Sequence, residues 1–126
     1  MPTAIFAPEL YVHDVKAAID FYTNAFGALE VLRWSNDDGS VHVAEMLLGG
    51  STFHMHEPAG NGLSPLDTKG ISVQIGLFLD DPDALFQKAA DAGATIVMPL
   101  QDFEYGYRQG ILKDPFGHYW QLQKRI

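Results

Sequence analysis

Cysteine is missing from all 126 residues. That excludes disulfides, thiolate metal ligands and a cysteine nucleophile, and it makes a reducing compartment, the cytoplasm, the expected setting. Positive charge is scarce: eight Lys and Arg stand against sixteen Asp and Glu, a formal net charge of −8. Such a surface repels a phosphate backbone, so nucleic acid is not an expected partner. Solubility is enough to explain the acidity. No apolar run approaches the roughly 20 residues of a membrane span. The opening Met1-Pro2-Thr3-Ala4 has neither the basic start nor the apolar centre of a secretory signal, so no membrane is expected either. A phosphate-cradling glycine loop is missing too, because Gly49-Gly50 lies between two strand-like runs instead of opening a helix. No flanking motif suggests a Ser-His-Asp nucleophile.

What is present is a chain that is 47% hydrophobic and strongly patterned. "TAIFAPELYV" (3–12) reads as a strand, with Pro8 pointing to a sheet edge. Asp14 then serves as N-cap for a helix in which Val15, Ala18, Ile19, Tyr22, Ala25 and Phe26 recur at helical spacing, and Gly27 closes it. Three strand-like runs follow, 28–34, 40–48 and 51–56, separated by the turns "NDDG" and "GG". The stretch 57–70, "EPAGNGLSPLDTKG", has no period and reads as a linker or mobile loop. The pattern then starts again. A strand at 73–79 leads to a helix with Asp81 as N-cap and Pro82 in its first position, ended by Gly93. Strands are expected at 94–100, 108–113 and 118–124. An offset of 67 residues carries Leu10 to Leu77, Asp14 to Asp81 and Phe53 to Trp120. The expectation is therefore a single domain over 1–126, made of a β-α-β-β-β module at 3–56, the linker, and a second module at 71–126.

Chemistry-bearing residues gather around "STFHMH". If Gly49-Gly50 is a two-residue hairpin turn, pairing runs 48–51, 47–52, 46–53 and 45–54. Glu45 then faces His54 across the hairpin within reach of a hydrogen bond, and Val43 faces His56. Phe53 and Met55 take the opposite, packing face. A carboxylate opposite an imidazole serves as a hydrogen-bonded cavity lining, an acid/base dyad or part of a metal site, and all three readings stand at this point. His118 follows a glycine and suits a turn.

The paired modules, with "YVHDVKAAIDFYTNAFG" in the first half and "GILKDPFGHYWQLQ" in the second, resemble the vicinal oxygen chelate superfamily, the group of glyoxalases, bleomycin-resistance proteins and extradiol dioxygenases. The PhnB-like branch is the nearer likeness, on the aromatic first helix ending in Phe-Gly and the Asp-Pro-Phe-Gly-His turn before a Trp. The resemblance spans nearly the whole chain. It implies an α+β fold of two tandem β-α-β-β-β modules whose curved mixed sheets surround a concave cavity. Each module is too small to bury a full core alone, so modules must pair within or between chains, and a homodimer is expected. In the enzymes the resemblance also implies a divalent metal held from the first and last strand of each module. Carried over by position, those four places are Ala7, His54, Gln74 and Gln121. Ala7 has no donor and the two glutamines offer only neutral amides, where tight sites use histidines and carboxylates. No tightly held cofactor is expected. A weakly bound divalent ion would fall to His54, Gln74, Gln121 and Glu45.

The concave side is expected to collect Glu9, Glu45, His54, His56, Gln74, Tyr119 and Gln121 around a small-molecule ligand. Tyr105 and Arg108, in "DFEYGYRQG", would form a rim or lid, with Arg108 meeting either an anionic ligand group or a neighbouring acid. Two functions follow. The first is a module that binds a small, aromatic or amphiphilic organic molecule without a metal. The second is a glyoxalase-like lyase or isomerase that acts on vicinal oxygens through a metal, with Glu45 and His54 as the catalytic pair and Glu45 or Glu9 as the base that moves a proton. Extradiol ring cleavage is the weaker enzyme reading, since it asks for two histidines and a carboxylate at the four family places.

Overall fold

The computed structural model describes residues 4–126, so Thr3, where the first strand-like run opens, lies outside the described residues. The first module forms a four-stranded sheet from β1 (Glu9–Tyr11), β2 (Leu29–Ser35), β3 (Val41–Leu48) and β4 (Ser51–His56). Its order is β1-β4-β3-β2, with β1 parallel to β4 and the other pairs antiparallel. The expected first strand is cut to three residues. Pro8, which has no N–H, immediately precedes it, and β1 occupies an edge as a proline there requires. Helix α1 (Val15–Phe26) begins where the Asp14 carboxylate accepts the Ala17 N–H at 3.0 Å. It ends in left-handed Gly27, after which the Ala28 N–H returns to the Tyr22 carbonyl at 3.2 Å, a Schellman closure.

The second module repeats the plan with β5 (Ile75–Phe78), α3 (Pro82–Asp91), β6 (Thr95–Phe103), β7 (Tyr107–Lys113) and β8 (Tyr119–Arg125), in the order β5-β8-β7-β6. The repeat holds at the level of register. Glu9 pairs with His54 and Gly76 with Gln121, and Leu10 pairs with Met55 and Leu77 with Leu122, each couple 67 residues from its counterpart. Asp81 caps α3 through the Ala84 N–H, with Pro82 in the first position. Strand β6 runs three residues past the expected end at Leu100. "DFEYGYRQG" is therefore the tip of the β6–β7 hairpin, not a separate lid.

The two modules meet through their helix-bearing sides. Leu10, Ala44, Met46, Phe53 and Met55 from the first sheet and Leu112, Trp120 and Leu122 from the second are all buried. Trp120 lies 4.8 Å, centroid to centroid, from Phe26, and Tyr22 meets Phe53 edge-on at 5.3 Å. Aromatic pairs of this geometry add to the burial energy. The opposite faces of both sheets consequently look away from this shared core.

The segment expected to be a linker or mobile loop is held down at several points. Ser64 is buried and opens a one-turn helix, α2 (Pro65–Thr68), through a reciprocal capping box with Asp67. The Asp67 carboxylate also reaches His13 Nε2 at 2.8 Å. A Cβ on Gly62 would lie 2.3 Å from the Tyr11 ring, so this backbone rests directly on β1. The segment is a strap joining the modules, and its glycines and prolines serve close packing.

Candidate functional site

The open face of the first sheet carries the ionisable cluster. The Gly49-Gly50 turn sets the register counted from the sequence: Leu48 with Ser51, Leu47 with Thr52, Met46 with Phe53, Glu45 with His54 and Val43 with His56. Phe53 and Met55 are buried, while His54 and His56 are half-exposed on the other side. His54 Nε2 stands 3.7 Å from Glu45 Oε1. That is an ion-pair distance and too long for the expected hydrogen bond. The tighter pair is His56 with Glu9, at 3.1 Å. Parallel pairing places Glu9 beside His54, and its carboxylate reaches along the sheet to His56. The two imidazoles lie nearly parallel, 15° apart, with centroids 6.4 Å apart. One nitrogen from each ring and one Glu9 oxygen fall within 4.8 Å of one another.

Apolar side chains of β2 flank this centre on one side without cover. Register puts Leu29 opposite Leu47, Leu32 opposite Glu45 and Trp34 opposite Val43, all on the open face. Trp34 is 67% exposed.

The remaining expected site residues lie elsewhere. Gln74 and Gln121 sit on the open face of the second sheet and bond to each other, Nε2 to Oε1, at 3.1 Å. Gln121 and Gln109 both donate to Gln123 Oε1, at 2.8 and 2.7 Å, which extends a ladder of amides that sequence reasoning missed. Tyr119 pairs with Lys113 on the same face. Tyr105, at the hairpin tip, donates to Gln109. Arg108 lies on the helix-bearing side, where Asp83 grips it at 2.7 and 2.9 Å and Asp102 at 3.0 Å. These hydrogen bonds, Asp83 first, raise the guanidinium's pKa further and hold the Asp83 carboxyl below its usual range. Arg108 thus meets neighbouring acids, not a ligand in the open face. The seven residues expected on one concave side are split between two sheets that look away from each other. Sequence pattern showed which face each occupies, but not how the two modules dock.

The family metal position does not fit these residues. Ala7 supplies no donor, Gln74 and Gln121 satisfy each other, and His54 is the one strong ligand of the four. A cleft of about 390 Å³ between the β3–β4 turn and β5 is lined by residues such as Phe6, Leu48, Phe53, Leu77 and Trp120. It has no titratable side chain, whereas the open face of the first sheet carries the ionisable cluster.

Residues 4–122 match the Glyoxalase/Bleomycin resistance protein/Dioxygenase superfamily. The chain belongs to this superfamily. It is 40% identical over 125 residues to the Mycobacterium bovis protein Mb0911c, itself uncharacterized, covering 95% of this chain and 82% of that protein. The solved structure of the Arabidopsis thaliana gene product At5g48480 superposes with a TM-score of 0.74 at 32% identity, covering 96% of this chain and 98% of that one. A PhnB protein from Bacillus cereus shares the fold, with a TM-score of 0.71 at 23% identity over 96% of this chain and 99% of that one. The superfamily fold and the PhnB-like likeness read from the motifs both have solved counterparts. No helix among the described residues is long and apolar enough to cross a membrane.

Proposed function

We propose that this protein binds a small amphiphilic organic molecule on the open face of its first sheet, in a cavity completed by the second sheet of another copy of the chain. The observation that carries the reading is the uncovered apolar surface of Leu29, Leu32 and Trp34 on the same open face as the Glu9, Glu45, His54 and His56 centre. Apolar surface of this kind rimming polar groups is the usual mark of an interaction site. His54 orients the polar end of the ligand, and the leucines and Trp34 take its body. Within one chain the glutamine ladder and Tyr119 face away from this centre. A two-fold homodimer brings the second sheet of one copy over the first sheet of the other, twice, and so makes two equivalent cavities. The setting is cytoplasmic. A metal-dependent lyase or isomerase would need the four family positions to hold a cation, and three of them do not supply a strong ligand. Binding is therefore the better-supported function.

Sedimentation velocity at micromolar concentration, combined with titration of the fluorescent aromatic anion anilinonaphthalene sulfonate, tests this reading. A dimer that binds the probe, with affinity reduced at least fivefold in both His54→Ala and Trp34→Ala, is the expected result. A monomer, or probe binding indifferent to both substitutions, sinks it.

A further inference from the structure

We infer that Glu9, His54 and His56 form a binding site for one first-row divalent cation, at a place on the first sheet distinct from the family's metal position. The inference goes beyond the small-molecule reading and does not need a second copy of the chain, because all three donors come from the adjacent strands β1 and β4 of one module. Glu9 lies two residues beyond Ala7, and His56 two residues beyond His54, so each new donor keeps the open face while moving one pleat along its strand. His54 is common to both positions. The glutamines and the donorless alanine drop out, and a carboxylate and a second imidazole replace them.

The geometry is close to what a metal requires. Bonds of about 2.0–2.2 Å to nitrogen and oxygen place donor atoms about 3.3 Å apart around a tetrahedral ion. Glu9 and His56 already stand 3.1 Å apart, and all three donors lie within 4.8 Å of one another. The parallel rings, 15° apart, come from one strand of fixed register, so small side-chain rotations are enough to converge them. Glu45, 3.7 Å from His54 Nε2, supplies a further carboxylate beside the site. Two imidazoles and a carboxylate select zinc, cobalt, nickel or iron(II) over magnesium and calcium, which prefer all-oxygen shells. Three protein donors also leave a coordination position for water or for an oxygen of a bound molecule. The competing explanation is two separate pairs, Glu45 with His54 and Glu9 with His56, with no cation between them.

Cobalt(II) titration of tag-free protein, stripped of metal beforehand, separates the two. The expected result is one cobalt per chain, read by a saturable visible ligand-field absorption and a raised melting temperature, with magnesium unable to compete. His56→Ala and Glu9→Gln should each weaken cobalt binding at least tenfold, whereas Gln74→Ala and Gln121→Ala should leave it unchanged. Metal-free melts check that the variants fold, and the largely exposed Glu9 makes Glu9→Gln the deciding variant should His56→Ala not fold. Absence of stoichiometric binding overturns the inference, as does binding that survives Glu9→Gln or is lost with Gln121→Ala. Cobalt binding by a chain that fails to dimerise or to take up the aromatic probe would refute the small-molecule reading alone. A dimer that binds the probe but no cobalt would refute the metal site alone.

Discussion

Asp114 joins its own turn to a helix 92 residues away in the chain. It is buried, and its two oxygens accept from the Tyr22 hydroxyl, the Trp120 indole and the N–H groups of Phe116 and His118. One carboxylate thus ties α1, β8 and the Asp-Pro-Phe-Gly-His turn together. Burial, reinforced by Asp114, pushes the Tyr22 hydroxyl well above the ordinary phenol range. Tyr22→Phe should cost about 1–2 kcal/mol in urea unfolding, since one hydrogen bond is lost and the acceptor keeps its other donors. Asp114→Ala, which leaves the buried Tyr22 hydroxyl and Trp120 indole and two half-buried N–H groups without their acceptor, should cost on the order of 3 kcal/mol or more. The opposite contrast applies on β4. Phe53, packed against Tyr22 and Trp120, should cost about 3–5 kcal/mol as Phe53→Ala. His54→Ala should stay under about 1 kcal/mol, because its half-exposed carboxylate neighbour can be rehydrated. Paired thermal melts in which His54→Ala is the less stable variant would contradict the assignment of faces.

The β3–β4 hairpin was legible in advance because a two-residue glycine turn sets register, and register alone decides which side chains share a face. The strap was not legible. Its Ser-Pro-Leu-Asp capping box is a four-residue signal inside a run without period, and its seat on Tyr11 is a tertiary contact that no periodicity announces. Gly62→Ala should lift it, since the added Cβ would collide with the Tyr11 ring. Faster amide exchange across 57–70 with little change at α1 is the expected outcome. The strap should also respond to acid. His13 first, and then the Ser64 N–H, hold the Asp67 carboxyl below its usual range. A folded value below the unfolded one gives stability that is complete above the unfolded carboxylate range, about pH 4, and is lost as pH falls through the lowered value. Exchange protection of residues 64–69 should therefore be flat from neutral pH down to about 5 and decline below about 4. Asp67→Asn should remove that acid-side step.

Across the whole molecule, the unusual feature is a first sheet whose outer strand β2 is exposed along its full length, Trp34 included. If the second copy covers this face, Trp34→Glu places a charge in the interface and should convert a dimer to a monomer in sedimentation velocity while leaving the buried aromatic core folded. Iodide quenching gives an independent check, because Trp120 is 1% exposed and Trp34 accounts for the accessible fluorescence. Quenching should be weak in the dimer, where the second copy covers Trp34, and become strong when dilution dissociates it; strong quenching at concentrations where sedimentation shows a dimer would place Trp34 outside the interface.

Local pattern was enough for the two long helices, the approximate positions of the strands, the tandem repeat, the β3–β4 hairpin register and the faces of Glu45, His54 and His56. These depend on local quantities: a capping carboxylate, a glycine able to adopt positive φ, a side-chain period of 2.0 or 3.6 residues. Two features depend on contacts between distant parts of the chain. One is how the modules dock. Their helix-bearing sides share a core, which turns Glu45 and His54 away from Gln74, Tyr119 and Gln121, and no pattern within either module encodes that choice. The other is which carboxylate meets which histidine. Glu9 is 47 residues from His56, and only the parallel pairing of β1 with β4 makes the two neighbours.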